Sequence, residues 1–556
     1  MKHIFFTLSL LFVFLFSAQG QVDFYKDYKF TNADTLRGML RPARTCYDVH
    51  FYDLNIKIDI AQRFIEGYVD MQFEVKEDFE ILQIDLYKNM KIDKIELHGF
   101  LLTYDRIHDA VFVKLPPQKA KTKNEIRIFY SGFPTVAKMP PWDGGFVWAS
   151  DSNNKPWVGV ACEGDGASLW WPNKDHLSDE PDSMSIRIAV PDSLVCVANG
   201  NLRNQQKVED GYTRYDWFVT YPINNYNVTV NIGDYVHFSD TAKTMDQQDL
   251  ALDYYVLTEN EQKARKHFQQ VPQVLSCFEY YFDKYPFFDD GYALVETPYL
   301  GMEHQGAIAY GNRYLRGYLG GMIPNDMDWD YIIVHETGHE YFGNSISCND
   351  LSEMWIHESF TTYMEALYVE CTYGYEDAVR YMDHFRRFPN ILNQEPILGP
   401  KEVNWEDWNG SDHYFKGSWV LHTLRHALND DELWFDLLKS FYKKHTISNI
   451  DTKDFIDFVQ EKTREDYISN FFTQYLVYPN IPKFRYQLQQ KGKDLSVSCK
   501  WENCIEGFNM PLLVGKPDAF EQIRPTTAKQ EFILKNTNAA DFKVPETLFL
   551  IQVVSD

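Results

Sequence analysis

Asp328-Trp329-Asp330-Tyr331-Ile332-Ile333-Val334-His335-Glu336-Thr337-Gly338-His339 places two histidines four residues apart, with a glutamate directly after the first. On an α-helix, positions i and i+4 share a face, so both imidazoles can meet one metal ion. Glu336 then stands beside the metal, where a carboxylate can take a proton from water. The residues from Asp328 to Val334 read as the start of that helix. A bare H-E-x-x-H arises by chance in roughly a few per cent of chains this long, mostly on surface helices. A third ligand therefore decides the matter. Glu358 follows His339 after 18 intervening residues, inside Trp355-Ile356-His357-Glu358-Ser359-Phe360. Phe360, Met364 and Leu367 recur at helical spacing, so a second helix carries it. Two antiparallel helices joined by a loop would bring Glu358 to the histidines. Two histidines and one carboxylate leave a fourth position open, the catalytic arrangement for zinc, whereas structural sites have four protein ligands. His357 is a rival ligand, but the spacing favours its neighbour. No cysteine lies at a zinc-ligand spacing, and the other histidines read mostly as surface or core residues.

Upstream of this segment the chain alternates. Leu54, Ile56, Ile58 and Ile60 share one face, with Asn55, Lys57 and Asp59 on the other. Gly67, Val69, Met71, Phe73 and Val75 repeat the pattern, as do Ile126, Ile128 and Tyr130. Period two in several short runs predicts antiparallel strands with one wet face. The β character lasts to about Gly233-Asp234. Thr258 and Glu261 then read as a capping box. Ala264, Phe268, Val271, Leu275, Phe278 and Phe282 follow at helical spacing, predicting one long amphipathic helix to about Asp283. Helical patterns dominate to about Tyr475, and Pro479-Asn480-Ile481-Pro482 breaks them. Alternation returns in Phe484, Tyr486 and Leu488, and later in Leu548, Leu550 and Val553. The expected fold class is multidomain α+β. A leader at residues 1–20 precedes a β domain at 21–240, an α-rich domain at 241–478 and a small β domain at 479–556.

Length agrees, since 556 residues suggest roughly three or four domains. The 54 basic and 80 acidic residues leave a formal charge of −26, which repels phosphate backbones and excludes nucleic acid as a partner. Lys2, the apolar run over residues 4–16, and the small residues Ala18 and Gly20 read as a signal peptide cleaved before Gln21. The run is short for a bilayer span, no stop-transfer pattern follows, and no later segment is apolar enough to cross. The expectation is an exported protein, periplasmic or secreted, without stable membrane insertion. Its 8 cysteines are too sparse for disulfides to hold the fold together. Cys499 and Cys504 flank a stretch that reads as a hairpin turn, either as a disulfide or as two buried thiols.

At these residues the chain resembles the aminopeptidase N family of zinc peptidases. Its pattern H-E-x-x-H-x18-E is met by His335, Glu336, His339 and Glu358, its F-G-N extension by Phe342-Gly343-Asn344, and its tryptophan before the third ligand by Trp355. The family's G-x-M-E-N motif resembles Leu300-Gly301-Met302-Glu303-His304, with Leu300 in place of glycine and His304 in place of asparagine. The resemblance implies that Glu303 grips the substrate's α-amine, with Gly301 and Met302 beside the substrate. Cys162-Glu163, followed by Pro172-Asn173-Lys174-Asp175 at the family spacing, makes Glu163 a second amine anchor; Ser168 stands where an arginine is often found. The Y-x-K-G motif is met by Tyr414-Phe415-Lys416-Gly417, so Tyr414 inherits the role of oxyanion donor.

The resemblance covers roughly residues 46–556. It implies an N-terminal β saddle domain, a thermolysin-like α-rich catalytic domain and a C-terminal β-sandwich, with one Zn²⁺ on His335, His339 and Glu358. Many members continue into a large helical domain, and a cleft without it is expected to be less enclosed. The implied reaction is hydrolysis of the N-terminal bond of peptides with a free N-terminus, Glu336 acting as base. Two rivals stand beside it: a zinc endopeptidase on the same site, and a non-catalytic peptide-binding relative. Tyr299 and Met302 are candidates for the wall of the side-chain pocket.

Overall fold

The computed structural model describes residues 24–208, 211–385, 389–405 and 408–556. The proposed leader lies outside them. An N-terminal β-rich domain, an α-rich domain and a C-terminal β domain follow one another along the chain.

The alternating segments form a ten-stranded sheet. Its middle runs Ser183–Pro191, Tyr47–Asp59, Phe64–Val75, Lys123–Gly132, with Leu54 opposite both Ile186 and Val69. Leu54, Ile58 and Val69 are fully buried, so the period-two face is the core face. A four-stranded sheet that includes Gly145–Ser150 and Pro156–Ala161 shares that core, together with Trp170 and Trp171. The chain leaves this sheet at Ala161, and the turn that follows carries Glu163.

A mixed five-stranded sheet comes next, in the order Tyr235–Lys243, Asp249–Leu257, Tyr292–Glu296, Ile308–Tyr310, Gly301–Met302. Its edge strand pairs Gly301 with Tyr310 and Met302 with Ala309, which puts Glu303 at the end of an edge. Four helices matter for the site: α1 (Val271–Tyr281), α2 (Tyr331–His339), α3 (Trp355–Tyr373) and α4 (Phe415–Leu428). The single long helix expected before residue 283 is instead three pieces: Glu261–His267, a 3-10 turn Phe268–Gln270, and α1. Pro272 in the first turn of α1 has no N–H to donate to the preceding turn. The capping box at Thr258 does not form either. Its hydroxyl donates to Asp234 O at 2.9 Å, and Thr258–Asn260 is a separate 3-10 turn.

The last domain contains a four-stranded sheet, Gln530–Leu534, Asp494–Glu502, Lys483–Lys491, Gln552–Ser555, and the ribbon Leu512–Lys516 with Ala519–Ile523. Trp501, Phe508 and Leu512 join the same apolar core as the helices. Cys499 and Cys504 are free thiols. The strand carrying Cys499 runs on to Glu502, so the two do not face each other across a hairpin. The disulfide found among the described residues is Cys277–Cys371, closing 94 residues and tying α1 to the end of α3. Among those residues no helix is long and apolar enough to cross a membrane.

Candidate active site

The helix α2 begins where Asp330 caps it, accepting from Ile332 N at 2.9 Å and Ile333 N at 3.2 Å. That start sets the helical phase, and His335 and His339 fall on the face turned toward α3. The nitrogens His335 Nε2 and His339 Nε2 are 3.2 Å apart. Glu358 Oε2 lies 3.6 Å from the first and 3.4 Å from the second. Ligand atoms about 2.0–2.1 Å from a tetrahedral zinc would be separated by about 3.3–3.4 Å, so this triangle has the size a zinc requires. Its chemistry agrees. Glu358 Oε2 is buried without a hydrogen-bond partner. Both Nδ1 atoms are held elsewhere: His335 Nδ1 by Glu365 Oε1 at 2.6 Å, His339 Nδ1 by Phe342 O at 2.9 Å. A carboxylate and a carbonyl only accept, so each Nδ1 carries the hydrogen and each Nε2 presents a lone pair. Two such nitrogens and a carboxylate oxygen facing one point favour positive charge between them, as a bound cation would supply.

Glu365 sits two turns after Glu358 on α3, and Tyr381 Oη donates to its other oxygen at 2.7 Å. Sequence reasoning missed this carboxylate, although its spacing from Glu358 puts it on the same face of the helix. Glu365→Gln keeps the shape but weakens the orienting bond. We expect metal affinity to fall by roughly 10–100-fold, measured by competition with a chelator. An unchanged affinity would show that Glu365 does not tune the ligand.

His357, the rival ligand, has both nitrogens engaged away from the triangle. Its Nε2 accepts from Cys348 N at 2.9 Å, and its Nδ1 lies 3.3 Å from Tyr226 Oη. Tyr226 in turn donates to Glu303 Oε1 at 3.0 Å. Burial lowers the His357 pKa to about 3, so the ring is neutral and the chain of donors runs from His357 through Tyr226 to Glu303. Nothing in the sequence singles out Tyr226. Asn344, by contrast, lies in the F-G-N extension, and its Nδ2 donates to Glu303 O at 2.8 Å.

The remaining candidates converge on a cavity of about 540 Å³. Glu163, Gly301, Met302, Glu303, Glu336 and Tyr414 line it with the three metal-facing residues. Side-chain oxygens of Glu163, Glu303 and Glu358 lie within 4.8 Å of one another, as do Glu303, Glu336 and His339. Gly301 fits where a side chain could not, because a Cβ there would lie 2.6 Å from Glu336 Oε1. Tyr299 is buried and does not line the cavity; its hydroxyl donates to Val160 O at 3.1 Å. Leu300, Tyr318 and Met322 line it instead. Tyr414 stands at the start of α4, its ring stacked 6.2 Å from His335. Its placement depends on Gly417, where a Cβ would lie 1.7 Å from Ser359 Oγ, and Ser359 donates to His413 O at 2.6 Å. The turn before α4 is thereby fastened to the residue following Glu358.

Four carboxylates, Glu163, Glu303, Glu336 and Glu358, lining one pocket repel each other. Burial, then the other carboxylates, pushes Glu163 well above its ordinary range. Burial also raises Glu303, against the pull of His339. It lifts Glu336 to about 8, the two imidazoles pulling down and Glu303 and Glu358 pushing up. Such a pocket recruits positive charge at two places: the nitrogen–oxygen triangle, and the gap between Glu163 and Glu303.

Residues 266–475 match the family model described as the Peptidase family M1 domain. Aminopeptidase N of Lactococcus lactis subsp. lactis is 26% identical over 221 residues, 38% of this chain and 26% of that protein. Aminopeptidase N of Lactobacillus helveticus is 24% identical over 456 residues, 78% of this chain and 51% of that protein. The chain thus spans about half or less of these relatives' length. Among solved structures, an M1 zinc metallopeptidase from Deinococcus radiodurans superposes with a TM-score of 0.62 at 20% identity, covering 77% of this chain and 93% of that one. That likeness is one of fold. The family match itself lies on residues 266–475, the stretch that holds Glu303, the metal triangle and Tyr414, so this part of the chain is similar to the Peptidase family M1 domain.

Proposed function

We propose that this protein is a zinc aminopeptidase that hydrolyses the N-terminal bond of peptides. The observation that carries the reading is the pair Glu163 and Glu303, two carboxylates beside the His335–His339–Glu358 triangle. An α-ammonium between them would place the first peptide bond next to the metal position, so the pair measures off one residue. His335, His339 and Glu358 would hold the zinc, which supplies Lewis acidity at the carbonyl and acidifies water. Glu336 takes the proton from the attacking water and hands it to the leaving amine nitrogen. Glu303 and Glu163 accept hydrogen bonds from the ammonium. The relatives' names, aminopeptidase N in two bacteria, fit this reaction. The non-catalytic alternative loses support because no ligand and no base is missing. Residues 1–20 support export, to the periplasm or beyond.

Chelation should remove one zinc per chain and abolish release of chromophore from aminoacyl substrates, and added zinc should restore it. Full activity in protein shown to be metal-free would overturn the reading.

Tyr414 supplies a hydroxyl toward the scissile carbonyl. Burial, then the Glu358 carboxylate, raises its pKa well above the usual value, so it is a proton donor at neutral pH. Tyr414→Phe should lower kcat by about 10²–10³-fold, with KM nearly unchanged, because the donor acts on charge that appears only in the transition state. A change confined to KM would make Tyr414 a binding residue instead.

A further inference from the structure

The chain between residues 24 and 45 adds no strand to the sheets, yet it touches loops on both sides of the cleft. Its helix Asn32–Gly38 is closed at its start by a reciprocal cap between Thr31 and Asp34. The β domain holds the other end. Gln83 Nε2 donates to Leu36 O at 2.9 Å, and the buried Arg44 bridges Arg37 O and Asp85. On the opposite bank, Asp34 O accepts from Asn404 N at 3.1 Å. Gly38 lies so close to Val403 that a Cβ would stand 2.1 Å from its carbonyl carbon. The rings of Tyr25, Tyr28 and Phe30 surround Trp405 at 5.5, 5.3 and 6.0 Å, all edge-on. Trp405 lines the catalytic cavity beside Trp408, which stacks 4.6 Å from His413, the residue before Tyr414.

From this helix Arg37 reaches the turn that carries Glu163. Its Nη2 donates to Gly164 O at 3.1 Å, its Nη1 to Tyr87 Oη at 3.2 Å, and its Nε lies 3.5 Å from Asp175 Oδ2. Tyr87 Oη donates to Asp165 O at 3.0 Å. The turn itself is tight, with Asp165 N on Glu163 O at 2.8 Å and Gly166 N on Cys162 O at 2.7 Å. Its two carbonyls after Glu163 are thus held, one by the guanidinium directly and one through Tyr87. Arg37 does not itself line the catalytic cavity.

We propose that residues 24–41 form a strap across the two banks of the cleft, and that Arg37 is a positioning residue for Glu163. The kinetic part rests on Glu163 as an anchor of the substrate amine. An anchor that holds substrate and transition state alike changes KM when it shifts, and leaves kcat. Such a shift, set from outside the site, is felt because a misplaced contact loses much of its effect.

The test uses the full chain with Arg37→Ala and the milder Arg37→Lys. Amide hydrogen exchange over residues 163–166, melting temperature and steady-state kinetics on a free-amine dipeptide are measured together. We expect faster exchange at 163–166 in Arg37→Ala, a KM raised about tenfold with kcat nearly kept, and partial recovery in Arg37→Lys. In the double variant Tyr25→Ala/Tyr28→Ala, exchange should quicken at residues 403–405. Wild-type exchange in either segment overturns the strap. So does a wild-type KM accompanied only by a lower melting temperature. Exchange needs no substrate, so it reads the strap even if the wild type proves indifferent to a free amine, which would count against Glu163 as anchor and not against Arg37. Should Arg37→Ala fail to fold, Arg37→Lys is judged by the same readouts.

Discussion

Glu336→Gln is expected to keep its metal and lose turnover by about 10²–10⁴-fold. The amide has nearly the shape of the carboxylate, and none of the three metal-facing atoms belongs to residue 336. Its side chain lies under the Gly301 strand, within reach of the cavity, so packing should hardly change. What is lost is a group able to take a proton from water and return it to the leaving nitrogen. The experiment combines metal analysis with kcat on the same preparation. Near-normal kcat in a fully metallated variant would remove Glu336 from the mechanism and leave the metal site standing.

The second large effect separates the aminopeptidase from the endopeptidase built on the same zinc chemistry. A peptide and its N-acetylated twin should differ by about 10²–10⁴-fold in kcat/KM. Acetylation removes the ammonium and two charge-assisted contacts, each worth roughly 1.5–3 kcal/mol. It also leaves Glu163 and Glu303 facing a neutral amide in a pocket where burial has already raised both carboxyls. Mass spectrometry reads the products. Stepwise loss of N-terminal residues from the free peptide alone supports the anchors. Internal cleavage, or equal rates on both peptides, points to the endopeptidase and leaves only the metal triangle of the present reading.

What was legible beforehand was local. The i, i+4 spacing of His335 and His339 needs only the pitch of a helix, and the alternation around Leu54 needs only the pleat of a strand. Both survive in the structure because the periodicity that buries one face also sets the backbone. Local reading failed where a single residue could satisfy its hydrogen bonds in two ways. Thr258 has the chemistry of a helix cap, but its hydroxyl went to Asp234 O, a partner 24 positions earlier. Cys499 and Cys504 were close in sequence but not across a turn, whereas Cys277 and Cys371 came together because α1 packs on α3.

By itself, then, the sequence determined the order of β-rich, helical and β-rich parts, the two helices of the metal triangle, and through motif resemblance a short list of partners for it. Only the tertiary structure decided that Glu163, 172 positions before His335, shares a pocket with Glu303 and Glu358. It alone decided that His357 turns toward Tyr226 rather than the metal position, that Glu365 orients His335, and that Arg37 braces the Glu163 turn. The reason is physical. Helix and strand periodicities repeat within a few residues and leave a mark in composition. A contact between distant side chains depends on how whole elements pack, and one arginine or tyrosine among many carries no mark of the partner it will meet.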